Sequence, residues 1–287
     1  MTGLAAFDFD LRVDPDTGCS VSSLEWRGMP LLRRAARGGD VLSSACFPLV
    51  PFSNRIAGSA FEWQGRTICL APNHPGDASS PVIHGIGWLK PWEVASNSEH
   101  SLVVKMVHSR DESWPWSIEA VQQFELAQGE CCFRLTLTNR DSEAMPAGLG
   151  FHPYFPRNGQ TLYRGLHRGE WQNDDGCIPI ALKQEATPTD WWGGRPVGSR
   201  CVDTVYTQRE APLTIEWPDK GVGLELAPDG YLPFTTVYVP EGEDYFCVEP
   251  VSHMTDAFNR HDSDGAFKVL APGEEWSVSM RLRPYML

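Results

Sequence analysis

A large antiparallel β-sandwich is the fold that this sequence predicts, and three observations carry the prediction. Period-two alternation of apolar and polar residues recurs along the chain, whereas helical periodicity does not. Turn signals rich in Gly, Pro and Asp separate the alternating runs. The runs number more than about a dozen, too many for one open sheet of ordinary size, so they divide between two packed sheets.

The run SLVVKMVH (101–108) is rich in β-branched residues, and SIEAVQQFEL (117–126) continues the same composition with an aromatic added. In CFRLTLTNR, Phe133, Leu135 and Leu137 fall on one face and Arg134, Thr136 and Thr138 on the other, the pattern of a half-buried strand. GVGLELAP places Val222, Leu224 and Leu226 together, and TTVYVP (235–240) is again β-branched and aromatic. In EEWSVSMRLR, Trp276, Val278, Met280 and Leu282 oppose Ser277, Ser279, Arg281 and Arg283. EWQGR, LAQGE, PDKG, APDG, PEGED and LAPGEE read as hairpin or short-loop connections, so neighbouring strands run antiparallel. With no composition shift, repeat or low-complexity tract, residues 1–287 are expected to form a single domain.

The formal charge of −13 argues against a nucleic-acid partner, whose phosphates require a basic footprint, and against an anionic membrane surface. A neutral or cationic small molecule suits it better, although an arginine cluster formed by folding could still hold an anion. The opening MTGLAAFDFDLRVD lacks a basic and then apolar leader, and no apolar window of about eighteen residues occurs, so a cytoplasmic location is expected. The cysteines Cys19, Cys46, Cys69, Cys131, Cys132, Cys177, Cys201 and Cys247 form no C-x-x-C pair and sit mostly in apolar runs such as TICL and FCVE. They read as buried reduced thiols rather than a disulfide frame or a metal site.

Four segments depart from ordinary strand and turn sequence: SNRIAG (53–58), VIHGIGW (82–88), GLGFHPYFP (148–156) and FCVEPVSHMTDAFN (246–259). Each embeds a polar or ionisable residue among apolar and aromatic neighbours, which is costly unless that residue is paired or functional. Taken singly, His152 and His84 are the kind of core histidine that bonds to a carbonyl. Arg55 would by default form an ion pair, and Glu249 a salt bridge, although a carboxylate whose pKa is raised by burial makes a competent base near neutrality.

Together, and in this order along most of the chain, the four motifs resemble the aldose 1-epimerase (galactose mutarotase) family, with HPYF and the glutamate motif the most specific part. The resemblance implies a β-sandwich of the galactose-mutarotase type, a free aldohexose as the small-molecule partner, and acid–base chemistry without cofactor or metal. It implies that Glu249 acts as general base on the anomeric hydroxyl and His152 as general acid on the ring oxygen, with His84 assisting there and in binding. Arg55, with Asn54 beside it, is expected to bind sugar hydroxyls. The family's sugar-binding aspartate is best matched by Asp203, with Asp190 and Asp219 as alternatives, and a sugar-facing aromatic could be Phe234, Tyr238 or Trp88. The loops 169–176 and 190–195 are candidates for reading the hydroxyl pattern, and no feature of the sequence sets an oligomeric state.

Chemistry points the same way. Opening a pyranose hemiacetal removes the proton of the C1 hydroxyl and protonates the ring oxygen, so an acid and a base must flank one carbon. Positioned proton transfer supplies about 10²–10⁴-fold, to which a rigidly held sugar adds. Three other readings compete. A two-histidine, one-carboxylate metal site of His84, His152 and Glu249 is disfavoured because no H-x-H pair occurs. A catalytically silent sugar binder on the same fold is opposed by the presence of both histidines and the glutamate. A mutarotase for a phosphorylated or modified sugar would show an extra Arg or Lys close to the pocket.

Overall fold

The computed structural model describes residues 1–36, 38–260 and 267–287. Among them the chain forms 24 strands and six short 3-10 turns, with no α-helix, and all strand pairings are antiparallel, as expected. No helix among the described residues is long and apolar enough to cross a membrane. Two large sheets dominate. The first runs in the order Leu162–Arg164, Leu213–Trp217, Val222–Pro228, Glu275–Met286, Glu130–Asn139, Ile118–Ala127, Ser101–His108, Glu93–Asn97. The second, called here the site sheet, runs Pro179–Asp190, Leu166–Asn173, Val202–Arg209, Phe234–Val239, Tyr245–Val251, Gly150–Phe151, Pro48–Leu49, with Tyr154–Pro156 also pairing Tyr245–Val251.

Alternation decides which sheet face each residue joins. Phe133, Leu135 and Leu137 are fully buried, and so are Val278, Met280 and Leu282 on the neighbouring strand, all in the core between the sheets. The site sheet contributes Val237, Phe246 and Val248 to that same core. Each such side chain adds about 1.5–3 kcal/mol by leaving water. EWQGR, LAQGE, PDKG and PEGED close hairpins, and Gly129 of LAQGE sits at φ 77°, a conformation open to glycine at little cost, between Ile118–Ala127 and Glu130–Asn139, whereas APDG and LAPGEE carry the chain from one sheet to another.

Alternate residues of the site sheet point the other way. Cys247, Val251, Phe234 and Val205 join a second apolar cluster with Phe47, Trp88 and Tyr154. The polar cleft opens on this second face.

The thiols only partly match expectation. Cys19, Cys46, Cys131, Cys132 and Cys247 are buried and free, but Cys177 is half-buried and Cys69 and Cys201 are exposed. Cys69 ends a two-stranded hairpin, Ala60–Trp63 with Arg66–Cys69, that belongs to neither large sheet, so its apolar neighbours in sequence do not bury it.

Candidate active site

The two strongest sequence candidates meet through strand register. Gly150 pairs with Val251 and Tyr154 with Cys247, which sets His152 across from Glu249 on the same face of the sheet. Pro153 lacks an N–H, so the ladder is interrupted between Gly150–Phe151 and Tyr154–Pro156. Cross-strand neighbours on one face are close enough to touch, and His152 Nε2 lies 3.2 Å from Glu249 Oε1. The acid and base candidates are therefore in direct contact, closer than two groups standing apart on either side of a ring.

Both side chains are deeply buried, His152 at 6% and Glu249 at 2% exposure. The imidazole lies sandwiched between Phe47 and Tyr154, with ring centroids 4.5 and 4.6 Å away, and its backbone N–H donates to Phe47 O. Burial pushes the His152 imidazole down to about 3. Burial, reinforced by the charge of Asp203 and opposed by Arg55, holds the Glu249 carboxyl well above its ordinary range. Neither His152 Nδ1 nor Glu249 Oε2 has a hydrogen-bond partner among the described residues. The pair thus titrates as a unit that holds one proton, and low dielectric favours the uncharged arrangement with that proton on Glu249.

His84 is placed by its contact with the residue that precedes Arg55. Asn54 and His84 both adopt left-handed backbone conformations, φ 58° and 59°, and they grip one another: His84 N–H donates to Asn54 O, and Asn54 N–H donates to His84 Nδ1 at 3.1 Å. Gly85 follows because a Cβ there would sit 2.2 Å from Val50 O. With Nδ1 accepting, the proton of a neutral His84 belongs on Nε2. Burial, with His152 and Arg55 nearby, keeps this imidazole uncharged by pushing it well below its usual range. The ring stands edge-on to His152, centroids 5.1 Å apart, and Trp88 backs it at 5.5 Å.

Arg55 and Asp203 complete the polar wall, with Nη1 3.7 Å from Oδ2, a loose pair in which each group keeps bonding capacity. Asn54 Oδ1 accepts the Arg55 backbone N–H and lies 3.4 Å from Nη1. The segment after Glu249 holds this wall in place. His253 Nε2 accepts the Ser53 N–H, Asp256 N–H donates to Arg55 O, and Asp256 Oδ1 accepts the Ala57 N–H.

Asn54, Arg55, His84, His152, Asp203 and Glu249 all border one cleft of about 250 Å³. Leu42, His74, Ile83, Tyr154, Tyr238 and Tyr245 supply the rest of its lining. That volume sits just below the ~300–1,000 Å³ of sites for larger ligands and suits a molecule the size of one sugar ring.

The alternatives left open by the sequence now separate. Asp190 accepts the N–H groups of Trp192 and Gly194 in a turn, and Asp219 lies beside Lys220, so neither reaches the cleft. Of the three aromatics, Tyr238 lines the cleft, whereas Trp88 and Phe234 are packed behind it. The segments 169–176 and 190–195 also miss it, and the first is a loop only beyond Asn173, because residues 169–173 belong to the strand Leu166–Asn173. Trp192 is buried with its indole N–H on Val197 O, and Asn173 reaches only the backbone of Asp203. The grouping of His84, His152 and Glu249 envisaged for a metal is replaced by another. The described residues whose ligand atoms gather within 4.8 Å are His152, Cys247 and Glu249. His74 and Tyr245 were not singled out in the sequence. Tyr245 shares its parity, hence its face, with Glu249, a signal the alternation carried.

Known proteins resemble the chain over nearly its full length. A family model described as aldose 1-epimerase matches residues 15–283. An uncharacterized Escherichia coli K12 protein, YphB, is 34% identical over 282 residues, covering 95% of this chain and 95% of its own. An aldose 1-epimerase candidate from Escherichia coli K12 superposes with a TM-score of 0.90 at 30% identity, over 99% of this chain and 98% of that one. A galactose mutarotase-like protein from Clostridium acetobutylicum shares the fold, with a TM-score of 0.87 at 19% identity over 99% and 95% of the two chains. With the family's signature running almost from end to end of a sandwich whose cleft gathers all four motifs, this chain belongs to the aldose 1-epimerase family.

Proposed function

We propose that the protein is a mutarotase that interconverts the α and β anomers of a free aldohexose, using Glu249 and His152 as a proton-exchanging pair. The contact of 3.2 Å between them, inside a cleft bordered by His84, Arg55 and Asp203, carries the reading. The anomeric hydroxyl and the ring oxygen are bonded to one carbon, so the groups serving them must be close neighbours.

In the charged arrangement of the pair, the Glu249 carboxylate takes the proton of the C1 hydroxyl while His152 Nε2 gives its proton to the ring oxygen. The C1–O5 bond breaks, leaving an aldehyde, a protonated Glu249 and a neutral His152. Rotation about C1–C2 presents the other face, and the ring closes with the two groups exchanging roles. His84 donates from Nε2 to the ring oxygen, and Arg55, Asn54 and Asp203 bind hydroxyls. The pair has no net charge at either end of this step. Burial already favours the uncharged end, so proton transfer leaves no unsolvated ion behind. Sugar hydroxyls offer the carboxylate the hydrogen bonds that burial denied it, which brings the charged arrangement within reach.

A neutral sugar is preferred over a phosphorylated one because Arg55 is the one Arg or Lys among the described residues lining the cleft, and it faces Asp203. Nearby Arg33 is occupied: its Nε donates to Ser44 O at 2.7 Å and its guanidinium stacks 3.5 Å from the Tyr154 ring. The test is exchange NMR started from pure anomers of glucose, galactose and their 6-phosphates. Catalytic turnover of free hexoses is expected. Saturable binding without acceleration would instead identify a silent sugar binder, and turnover of the 6-phosphates alone would reassign the substrate.

A further inference from the structure

One cluster beneath the cleft includes a thiol that has no part in the proton exchange. Cys247 lies two residues before Glu249 on the same strand, so both side chains share a face, and its register partner Tyr154 is two residues from His152. The thiol is fully buried and free. His152, Cys247 and Glu249 each bring one ligand atom within 4.8 Å of the others. Glu249 Oε2, nine-tenths buried and more, makes no hydrogen bond among the described residues.

We propose that His152 Nε2, Cys247 Sγ and the Glu249 carboxylate form a binding site for a zinc-class divalent cation that switches the enzyme off. The donor set of one imidazole nitrogen, one sulfur and one carboxylate oxygen selects a borderline-soft ion over magnesium or calcium, which require oxygen ligands. Tetrahedral bonds of ~2.0–2.1 Å place ligand atoms about 3.3 Å apart, and the His152–Glu249 separation of 3.2 Å already matches that edge. Cys247 Sγ lies within 4.8 Å of the other two ligand atoms, so completing a third bond of ~2.3 Å asks for an approach of at most roughly 1.3 Å. The fourth position faces the cleft, because His152 and Glu249 border it.

Such an ion sits between Nε2 and Oε1, roughly 1.3 Å off the line joining them because two bonds of ~2.0–2.1 Å span a 3.2 Å edge, and it displaces the proton that links the pair. It therefore ties up the base lone pair and the acid nitrogen at once. Binding stands on geometry alone, whereas the inhibitory consequence rests on the mutarotase reading.

Cobalt(II) and zinc(II) titrations of the chelator-stripped full chain provide the test, in a Cys69→Ser, Cys201→Ser background that removes the exposed thiols. Cobalt is expected to bind one ion per chain with a thiolate charge-transfer band, displaced by zinc. Cys247→Ala is expected to lose the band and to weaken zinc binding at least ~10-fold, since even an outer-shell partner is worth about 10–100-fold. In the exchange assay, zinc inhibits the parent reversibly, with recovery on adding chelator, and Cys247→Ala keeps the metal-free rate while needing at least ~10-fold more zinc. Cys247→Ser serves as a second variant should the alanine form fold poorly. No thiolate band in the parent, or equal zinc affinity in parent and Cys247 variants, overturns the site. A protein with the band but no anomer exchange would refute the mutarotase reading and leave the metal site standing.

Discussion

Replacing Glu249 by glutamine is expected to move activity and stability in opposite directions. Glutamine keeps the shape of the side chain and can still accept from His152 Nε2, but it cannot take a proton. Removal of a positioned general base costs at least ~10²-fold, equivalent to about 2.7 kcal/mol of barrier. Stability follows from the direction of the Glu249 shift. Its carboxyl in the folded protein lies well above the ordinary value of 4.5, chiefly through burial. The folded state therefore holds a proton that the unfolded chain has released. The stability from that proton is complete below the ordinary carboxyl range and is lost as pH rises through the folded value, at up to about 1.4 kcal/mol per pH unit. The glutamine amide has nothing to ionise, so near pH 7 the Glu249→Gln variant should unfold at a urea midpoint equal to or above that of the parent, with a gap that widens with pH. Exchange NMR from a pure anomer gives the rate, and tryptophan fluorescence in urea gives the midpoint. Near-parental exchange would refute the role assigned to Glu249. A lost activity accompanied by a markedly lower midpoint would mean that the carboxyl organises the fold and that the rate loss says nothing about a base.

Arg55→Ala should lower kcat/KM by roughly 10–100-fold, mostly through KM, because one hydrogen-bonding charged group is worth about 1.5–3 kcal/mol; an unchanged KM for every hexose tried would remove Arg55 from sugar binding. Gly148→Ala would put a Cβ 2.0 Å from the ring of His253, which is buried and bonded at both nitrogens to Ser53 and Met254. Overpacking of this kind costs about 1–3 kcal/mol, so a melting temperature lowered by several degrees is expected, and an unchanged one would show that the His253 clamp yields freely. Burial pushes His152 and His167 down to about 3 and His253 to about 4. Stability from His167 and His253, which stand outside the Glu249 pair, is present above about pH 6.5 and is lost as pH falls from there toward their folded values, by up to about 1.4 kcal/mol per pH unit for each, while Glu249 acts in the opposite sense. In the Glu249→Gln variant, which lacks the opposing carboxyl, a urea midpoint that stays level from pH 7 to pH 5 would contradict the burial of His167 and His253 as neutral rings.

The strands and faces were readable in the sequence because each rests on a local, two-residue period. Ser101–His108 and the alternation of Glu275–Met286 follow from side chains that must choose between core and water. The cleft residues in apolar surroundings, His84, His152 and Glu249 above all, are visible for a related reason: an ionisable group among large hydrophobes is costly to bury and so stands out from its neighbours. His74 escaped notice because it sits half-buried in a polar loop, where a histidine costs nothing. The Trp-rich run 190–195 misled in the opposite sense, since Trp192 packs against Tyr163 and Tyr206 and its aromatic richness serves the core. Cys69 shows the limit of inferring burial from sequence neighbours, because what buries a strand is the sheet laid over it. That is a long-range fact.

The register that joins His152 to Glu249 was also long-range, yet the sequence carries a mark of it in two prolines. Each residue of the pair is followed by proline, Pro153 in the gap between Gly150–Phe151 and Tyr154–Pro156 and Pro250 on the neighbouring strand Tyr245–Val251. A residue before proline is held to extended backbone, which fixes the direction of its side chain. Neither proline has an N–H to donate, so the ladder loosens where Gly150–Phe151 gives way to Tyr154–Pro156. The strands nevertheless stay in register, because Gly150–Val251 and Tyr154–Cys247 pair on either side of the gap. The result is a pair of side chains aimed by stiff backbone at the same point, with a break in hydrogen bonding confined to that point. The proton exchange proposed for this pair would depend on such a fixed separation of 3.2 Å, since a misplacement of about an ångström can cost ~10²-fold in rate. Rigid spacing from sheet register and aim from the two prolines are supplied by backbone geometry alone, which leaves the other side chains of the cleft free to vary without disturbing the pair.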